Sequence, residues 1–346
     1  MSTPLLSVVM PCFNAQRWVE GAIDSILTQT HTHLELIVVD DGSSDSSVKR
    51  IRKIANTDAR LRLLTANCNT GIVHALNYGI EEARGKFIAR MDADDICMPN
   101  RLSQQISFLE QTSCDLCGSW FVEFGQGIPR TVRWPHTESA LRAAMIFQNT
   151  ICHPTVMARR EVFEQFRYRE AYQLAEDYDL FARASTKFRL ANIPEPLLRY
   201  RRHPQQATQA RRNDMEIVTR QIRLQALQAQ GIEATPEEQR LHNLIRAPSS
   251  IYNTTDLEGI EAWLLKLYKA NDDKEGKRII ASQWVRACIR AAPLGHNMWR
   301  IYRLSPLRAS AGINLMTHTD LRILSALKLD YGSNAFSSLR RFGLSA

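Results

Sequence analysis

No apolar run in this 346-residue chain approaches the roughly 20 residues that cross a bilayer as a helix, so helical membrane spans are not expected. Glycine and proline are few, 15 and 13 residues, which excludes a collagen-like or low-complexity chain. The seven cysteines are scattered, odd in number and often set in apolar runs, as at Cys12, Cys152 and Cys288, which reads as reduced thiols. Cys114-x-x-Cys117 is half a zinc site with no second half, so two small buried side chains are expected there. The start, MSTPLLSVVMPCFNAQ, lacks a basic segment, and Pro11 and Asn14 interrupt its apolar run. It does not read as a secretory signal, and a cytoplasmic protein is expected. Neither G-x-G-x-x-G nor the P-loop pattern G-x-x-x-x-G-K-S/T occurs, so a phosphate-bearing ligand needs another device.

Acidic residues are also scarce at one end. Residues 276–346 hold 11 basic residues against only Asp320 and Asp330, and they carry the whole net charge of +8 and one unit more. Such a segment points to a polyanionic partner, an anionic membrane or a nucleic acid. The rest is ordinary globular composition, 44% hydrophobic and 23% charged, with ample material for a core.

The first half alternates short apolar runs with helical spacing. Strands are expected at 6–10, 34–39, 61–64 and 87–91, and helices at 18–27, 48–55 and 72–83. That alternation implies parallel βαβ units, in which ligands bind beyond the carboxyl ends of the strands. Past residue 205 the pattern becomes helical, and a soft boundary is expected at 205–215.

Three acidic clusters fall at expected strand ends or helix starts: Asp40-Asp41-Gly42-Ser43-Ser44-Asp45, Asp92-Ala93-Asp94-Asp95 and Glu176-Asp177-Tyr178-Asp179. Carboxylates crowded at the mouth of a sheet repel one another, and a hard cation resolves that cost. An oxygen-ligand site for Mn²⁺ or Mg²⁺, completed by a phosphate, follows. The competing reading is that Asp and Ser cap helices and turns, which is favoured for Asp45 and for Asp95.

These pieces carry a resemblance. In order, they are Ser7-Val8-Val9-Met10-Pro11-Cys12-Phe13-Asn14, Val39-Asp40-Asp41-Gly42-Ser43-Ser44-Asp45, Asn69-Thr70-Gly71, and Ala83 through Asp95. His153-Pro154-Thr155, Glu176-Asp177-Tyr178-Asp179 and Tyr200-Arg201-Arg202-His203 follow. The set resembles the inverting GT-A glycosyltransferases of family 2 over residues 5–205, and nothing comparable covers the remainder. The resemblance implies an α/β fold, a Rossmann-like mixed sheet with helices on both faces. Residues 1–205 would form the nucleotide-sugar-binding catalytic domain and 206–346 a helical region with a basic tail.

The resemblance also implies roles. Pro11 and Phe13 would lie beside the nucleotide base, and Asp40 would hydrogen-bond it. Asp41 would share that duty or hold the loop. Asp92 would sit near the ribose and Asp94 on the metal, with His203 reaching the metal or diphosphate or serving structure. Asp177 would be the general base, with Glu176 beside it, and His153 would support packing. The implied reaction moves one sugar from a nucleotide-sugar, by family frequency a UDP-sugar, to an acceptor hydroxyl with inversion. The absence of Q-x-x-R-W argues for a single transfer rather than processive synthesis. The acceptor would be a glycan or lipid-linked acceptor in surface-polysaccharide synthesis.

Two rivals remain at this level. A nucleotidyltransferase would share the sheet and the Asp-held metal, although Cys12-Phe13-Asn14-Ala15 is not the Gly-rich basic loop it needs. A nucleic-acid-binding protein would use the basic tail. Against that second rival, Ile280, Trp284, Cys288 and Ile289 form an expected apolar strip, and Trp299 and Tyr302 suit a headgroup layer. Docking at the inner face of the membrane is therefore the expected use of the tail, and nucleic acid is not expected.

Overall fold

The computed structural model describes residues 6–204, 212–312 and 315–336. The expected boundary at 205 and the last ten residues of the basic tail lie outside the described residues.

All four strands expected in the first half form: β1 (Leu6–Cys12), β2 (Leu34–Asp40), β3 (Leu61–Thr65) and β4 (Phe87–Arg90). They pair in parallel, β1 lying between β2 and β4 with β3 outside β2. Val8, Met10, Leu36, Val38 and Ala89 bury one face against α1 (Val19–Leu27) and α4 (Arg101–Gln111). The other face takes α3 (Ile72–Glu82) so closely that a Cβ on Gly79 would lie 2.5 Å from Val9 Cγ1. With both faces covered, the strands read as continuous apolar runs. The remaining long helix of this half is α2 (Ser47–Ala55).

Beyond β4 the sheet changes direction. β5 (Ile96–Cys97), β6 (Leu116–Phe124), β7 (Arg130–Val132), β8 (Met157–Arg159) and β9 (Leu190–Arg201) complete the order β3-β2-β1-β4-β8-β6-β9-β5, with β7 on β6. β8 is antiparallel to both β4 and β6, whereas β6 and β9 are parallel. The sheet is therefore mixed. α5 (Glu138–Met145), α6 (Arg160–Gln165) and α7 (Glu176–Ala184) lie between these strands in the chain. Cys114 and Cys117 are buried beside and within β6 as free thiols, the plain packing role expected of them.

The chain divides into two compact units: Met1–Leu141 with Asn149–Ile222, and Arg142–Gln148 with Arg223–Ala346. The division falls within α8 (Arg212–Ala229). The second unit is helical, built on α9 (Pro236–Arg246), α10 (Thr254–Ala270), α11 (Lys274–Arg290), α12 (His296–Leu304), α13 (Leu307–Ser310) and α14 (Leu315–Leu327). Thr235 and Glu238 form a reciprocal capping box on α9, and Asn253 and Asp273 cap α10 and α11. His242 anchors the inserted segment. Its Nδ1 accepts from Trp263 Nε1 at 3.0 Å, so its protonated Nε2 donates to the carbonyl of Ile146 at 2.8 Å.

One expectation is corrected here. Ile280, Trp284, Cys288 and Ile289 do not offer a strip to lipid, because all four are buried. Tyr302 is buried too and Trp299 half-buried. Helical spacing reveals an apolar stripe but not what covers it, and here α10, α12, α13 and α14 pack on α11. Among the described residues no helix is long and apolar enough to cross a membrane.

Candidate active site

Parallel pairing decides which loops meet. Cys12 is level with Asp40, and Val9 with Arg90, so β1, β2 and β4 end at one edge of the sheet. Phe13, the Asp40–Asp41 pair and the Asp92–Asp95 loop therefore share that edge. Pro11 is half-buried in β1, and Phe13, just beyond it, is half exposed. Asp40 is buried. Its Oδ2 accepts from the Ser43 amide at 3.0 Å, while its buried Oδ1 has no partner. An unpartnered buried acceptor is costly, and an N–H of a ligand would satisfy it.

Asp41 differs. One oxygen accepts from the Thr70 amide and hydroxyl and the other from the Gly71 amide, all at 2.8 Å. Of its two expected duties, loop holding is the one its bonds perform. The loop it holds is tight: Gly42 adopts φ +74°, and a Cβ there would lie 2.6 Å from the Cys68 carbonyl carbon. Asp45 caps as expected, accepting from Ser47 N at 2.9 Å and from Gln16 N at 3.0 Å.

After β4, Asp92, Asp94 and Asp95 bring one carboxylate oxygen each to within 4.8 Å of the others. Asp95 does not cap the next helix, contrary to the expectation for it. It is fully buried and accepts from the Arg201 amide at 2.7 Å, while its Oδ2 has no partner. β5 follows the acidic loop directly and pairs with β9, Ile96 opposite Arg199. That pairing delivers residues 201–203 to the acidic loop. Arg201 Nε donates to the Asp94 carbonyl at 2.6 Å, and His203 Nε2 meets Asp94 Oδ2 at 2.8 Å.

Asp92 is held from below by Arg90, a buried guanidinium 2.5 Å away. Arg90 has two further nitrogens without partners. Burial, with Asp94 nearby, pushes Asp92 up to about 6 against the pull of Arg90. Burial and the charges of Asp92 and Asp94 push Asp95 well up. Two acids destabilised as anions, a third carboxylate beside them and an orphaned oxygen fit a hard divalent cation. Asp94 with Asp92 or Asp95 would hold it, and His203 adjoins them.

Asp177 opens α7. Its Oδ1 accepts from the Tyr178 amide at 2.7 Å, and its Oδ2 from Asn149 Nδ2 at 2.7 Å. Burial, then the charge of Glu176, pushes it up to about 7, opposed in part by Arg90. Glu176 is itself raised by burial and accepts from the Leu174 amide at 2.9 Å. The Arg90 charge thus reaches Asp92, Asp95, Glu176 and Asp177 together, which puts the second and third acidic clusters in one field. Asp179 is buried between Arg169 and Arg183 and serves structure. His153 is buried, meets the Tyr168 hydroxyl at 2.8 Å and is held neutral by burial and by Arg90, in keeping with a packing role.

Sequence reasoning missed Arg90, Arg101 and Asn149. A charged residue inside the apolar run Phe87–Met91 was a usable signal for Arg90. Arg101, fully buried, donates to the carbonyls of Arg90 at 2.8 Å and Val156 at 3.3 Å and so pins the end of β4. Nothing in the sequence around Asn149 marks it.

A mixed sheet with helices on both faces, with acids after β2 and β4, is the GT-A arrangement. Residues 7–167 match the family model described as "Glycosyl transferase family 2". The chain is 30% identical over 207 residues to the O-antigen biosynthesis glycosyltransferase WbnJ of Escherichia coli, covering 58% of this chain and 80% of that one. It is 39% identical over 109 residues to the UDP-Glc:alpha-D-GlcNAc-diphosphoundecaprenol beta-1,3-glucosyltransferase WfgD of Escherichia coli, covering 32% of this chain and 42% of that one. In fold it is similar to S. aureus TarS 1-349 in complex with UDP-GlcNAc, with a TM-score of 0.54 at 16% identity, covering 97% of this chain and 92% of that one. The chain belongs to glycosyl transferase family 2 and is a glycosyltransferase. The nucleotidyltransferase reading gives way to that assignment.

Proposed function

We propose that the protein transfers one sugar from a UDP-sugar to an acceptor hydroxyl with inversion, using a divalent cation, in surface-polysaccharide or lipid-linked glycan synthesis. The observation that carries the reading is the meeting at one sheet edge of an orphaned buried oxygen on Asp40 and the carboxylate trio Asp92, Asp94 and Asp95, with the raised carboxylate of Asp177 in the same field of Arg90. The sheet unit, corresponding to the expected catalytic domain of residues 1–205, carries the chemistry.

Asp40 accepts an N–H of the base, and Phe13 covers the base from the side. Asp92, tied to Arg90, faces the ribose. Asp94, with Asp92 or Asp95 and with His203 alongside, would hold Mn²⁺ or Mg²⁺, which would supply Lewis-acid stabilisation for a leaving diphosphate. Asp177 takes the proton of the acceptor hydroxyl as that oxygen attacks the anomeric carbon. Asn149 fixes the carboxylate for this task. Attack from the face opposite the leaving group inverts the centre with no covalent intermediate. The acceptor is a lipid-linked glycan, in line with the diphosphoundecaprenol-linked acceptor in the name of the relative WfgD.

The experiment is a panel of nucleotide-sugars assayed for nucleotide release, with and without EDTA, against polyprenyl-diphosphate-linked saccharides. Release of UDP that depends on acceptor and metal, with a product of inverted anomeric configuration, supports the reading. Metal-independent release or retained configuration overturns it.

A further inference from the structure

The helical unit presents basic and apolar side chains together on its last two long helices. α12 turns Met298, Ile301 and Tyr302 inward and leaves His296, Arg300, Arg303 and Leu304 exposed. α14 buries Leu321, Leu324 and Ser325 and leaves Arg322, Ile323, Ala326 and Leu327 exposed, a spacing that puts these four on one helix face. The two helices run antiparallel. Tyr302 meets His318 Nδ1 at 2.6 Å, and further along the pair Lys328 lies over Gly295, whose added Cβ would be 2.8 Å from Lys328 Cε.

Three of the large apolar side chains most open to water among the described residues are here: Leu304 at 77% exposure, Leu327 at 55% and Ile323 at 39%. Arg300, Arg303 and Arg322 on the same two helices, and Lys328 just beyond the second, are exposed and take part in no ion pair among the described residues. The two carboxylates of this stretch pair with none of them: Asp320 is buried, and Asp330 accepts from the Tyr252 hydroxyl at 2.8 Å.

We propose that this α12–α14 face docks the protein on an anionic lipid bilayer. The guanidinium and ammonium groups lie at the phosphate level, and Leu304, Ile323 and Leu327 enter the boundary between headgroups and acyl chains. Charge alone would suit a nucleic acid equally well. Exposed Leu and Ile have no use against a phosphodiester backbone, however, and the two aromatic rings of α12 do not stand out to stack on bases, Tyr302 being buried and Trp299 half-buried. This face takes the place of the buried strip on α11. It deepens the reading of a membrane-borne acceptor and rests on that reading for its purpose, but binding is measured without turnover, so the two fail separately.

The test is flotation of the full chain with vesicles of phosphatidylcholine, with and without about one-third phosphatidylglycerol, at about 0.1 M and about 1 M salt. Flotation with the anionic vesicles at low salt is expected, and its loss at high salt or on pure phosphatidylcholine. The triple variant Arg300→Glu/Arg303→Glu/Arg322→Glu should float at least about tenfold less, with its melting temperature and UDP affinity unchanged. The exposed-site variant Leu304→Ser/Leu327→Ser, which leaves the charge intact, should also weaken flotation by about tenfold. No flotation of the folded wild type at low salt overturns the proposal, as does wild-type flotation by both variants. So does binding of a single-stranded oligonucleotide under conditions where anionic vesicles fail to bind.

Discussion

Asn149 donates its side-chain amide to Asp177 at 2.7 Å, across 28 residues of chain, and so fixes the carboxylate proposed as the general base. Asn149 follows directly on residues 142–148, the segment that belongs to the helical unit and is anchored there by His242. The base therefore owes its orientation to a residue far from it in sequence. Replacing Asn149 with Ala should cut kcat by about 10- to 100-fold through misplacement of the carboxylate. The KM for the donor should stay within about twofold, since Asn149 makes no bond to the nucleotide loops. The acid limb of the pH profile should also move upward, because the lost N–H stabilised the anion. Steady-state kinetics across pH checks all three, and an unchanged kcat removes Asn149 from the machinery.

Asp177 works as a base only when ionised. Burial and Glu176 push it up to about 7. The sign follows: kcat/KM rises with pH through about 7 and falls about tenfold per unit below it. A bound cation nearby draws that limb lower. Asp177→Asn keeps the shape and removes the basicity, so turnover should fall by about 10²–10⁴ while UDP affinity survives. Isothermal titration with UDP and Mn²⁺ tests the second half. A collapse of that affinity would place Asp177 in the donor site instead.

The proposed metal dependence rests on the trio after β4. EDTA should abolish nucleotide release, and Mn²⁺ or Mg²⁺ should restore it. Asp94→Ala should lose both the turnover and the gain in UDP affinity that metal confers, as measured by titration. Full turnover in that variant would take Asp94 out of the metal site.

Asp40 and Asp41 are neighbours with different hydrogen-bond partners, and the proposed division of work between them is measurable. Asp40→Ala should weaken UDP binding by about tenfold, the loss of one hydrogen bond to a charged acceptor, with a smaller loss of stability than Asp41→Ala, since it frees the single amide of Ser43. Asp41→Ala leaves the amides of Thr70 and Gly71 unpaired and should cost about 2 kcal/mol of stability. Thermal melts and nucleotide titration of the pair of variants separate the two effects. Equal loss of affinity with equal stability would return Asp41 to the base-binding site.

What was legible in the sequence was what periodicity and punctuation encode. The four parallel strands are apolar runs, and each formed where expected; β2 and β4 end at Asp40-Asp41-Gly42 and just before Asp92, whereas β1 runs on through Pro11 to Cys12. β9 was hidden because it contains Pro194 and Pro196, which alone argue against a strand. The structure accommodates them at an irregularity: Ser119 pairs with Ile193 and Trp120 with Pro196, so Pro194 and Glu195 bulge out of register. His203 was suggested by motif, but its approach to Asp94 depends on that irregular strand pairing with β5. Asp95 was misread as a cap because its partner, Arg201, lies 106 residues away. Long-range hydrogen bonds of this kind leave no local pattern, and Asn149 is hidden for the same reason.

His242 makes the helical unit sensitive to acid. Its ring is fully buried, with Nδ1 accepting from Trp263 and Nε2 donating to Ile146, a pairing that requires the neutral form. Burial lowers its pKa to about 4. The unfolded chain therefore binds a proton that the folded chain refuses between about 6.5 and about 4. Stability should be full above that window, decline as pH falls through it and level off below, by about 3 kcal/mol from this group. His242→Gln should be less stable at neutral pH, because one amide cannot reproduce both bonds in the same geometry, yet its stability should vary less between pH 6.5 and 4. Urea unfolding followed by tryptophan fluorescence reports this directly, since Trp263 touches the ring. Wild type and variant with parallel pH dependence would show that His242 titrates normally in the folded protein.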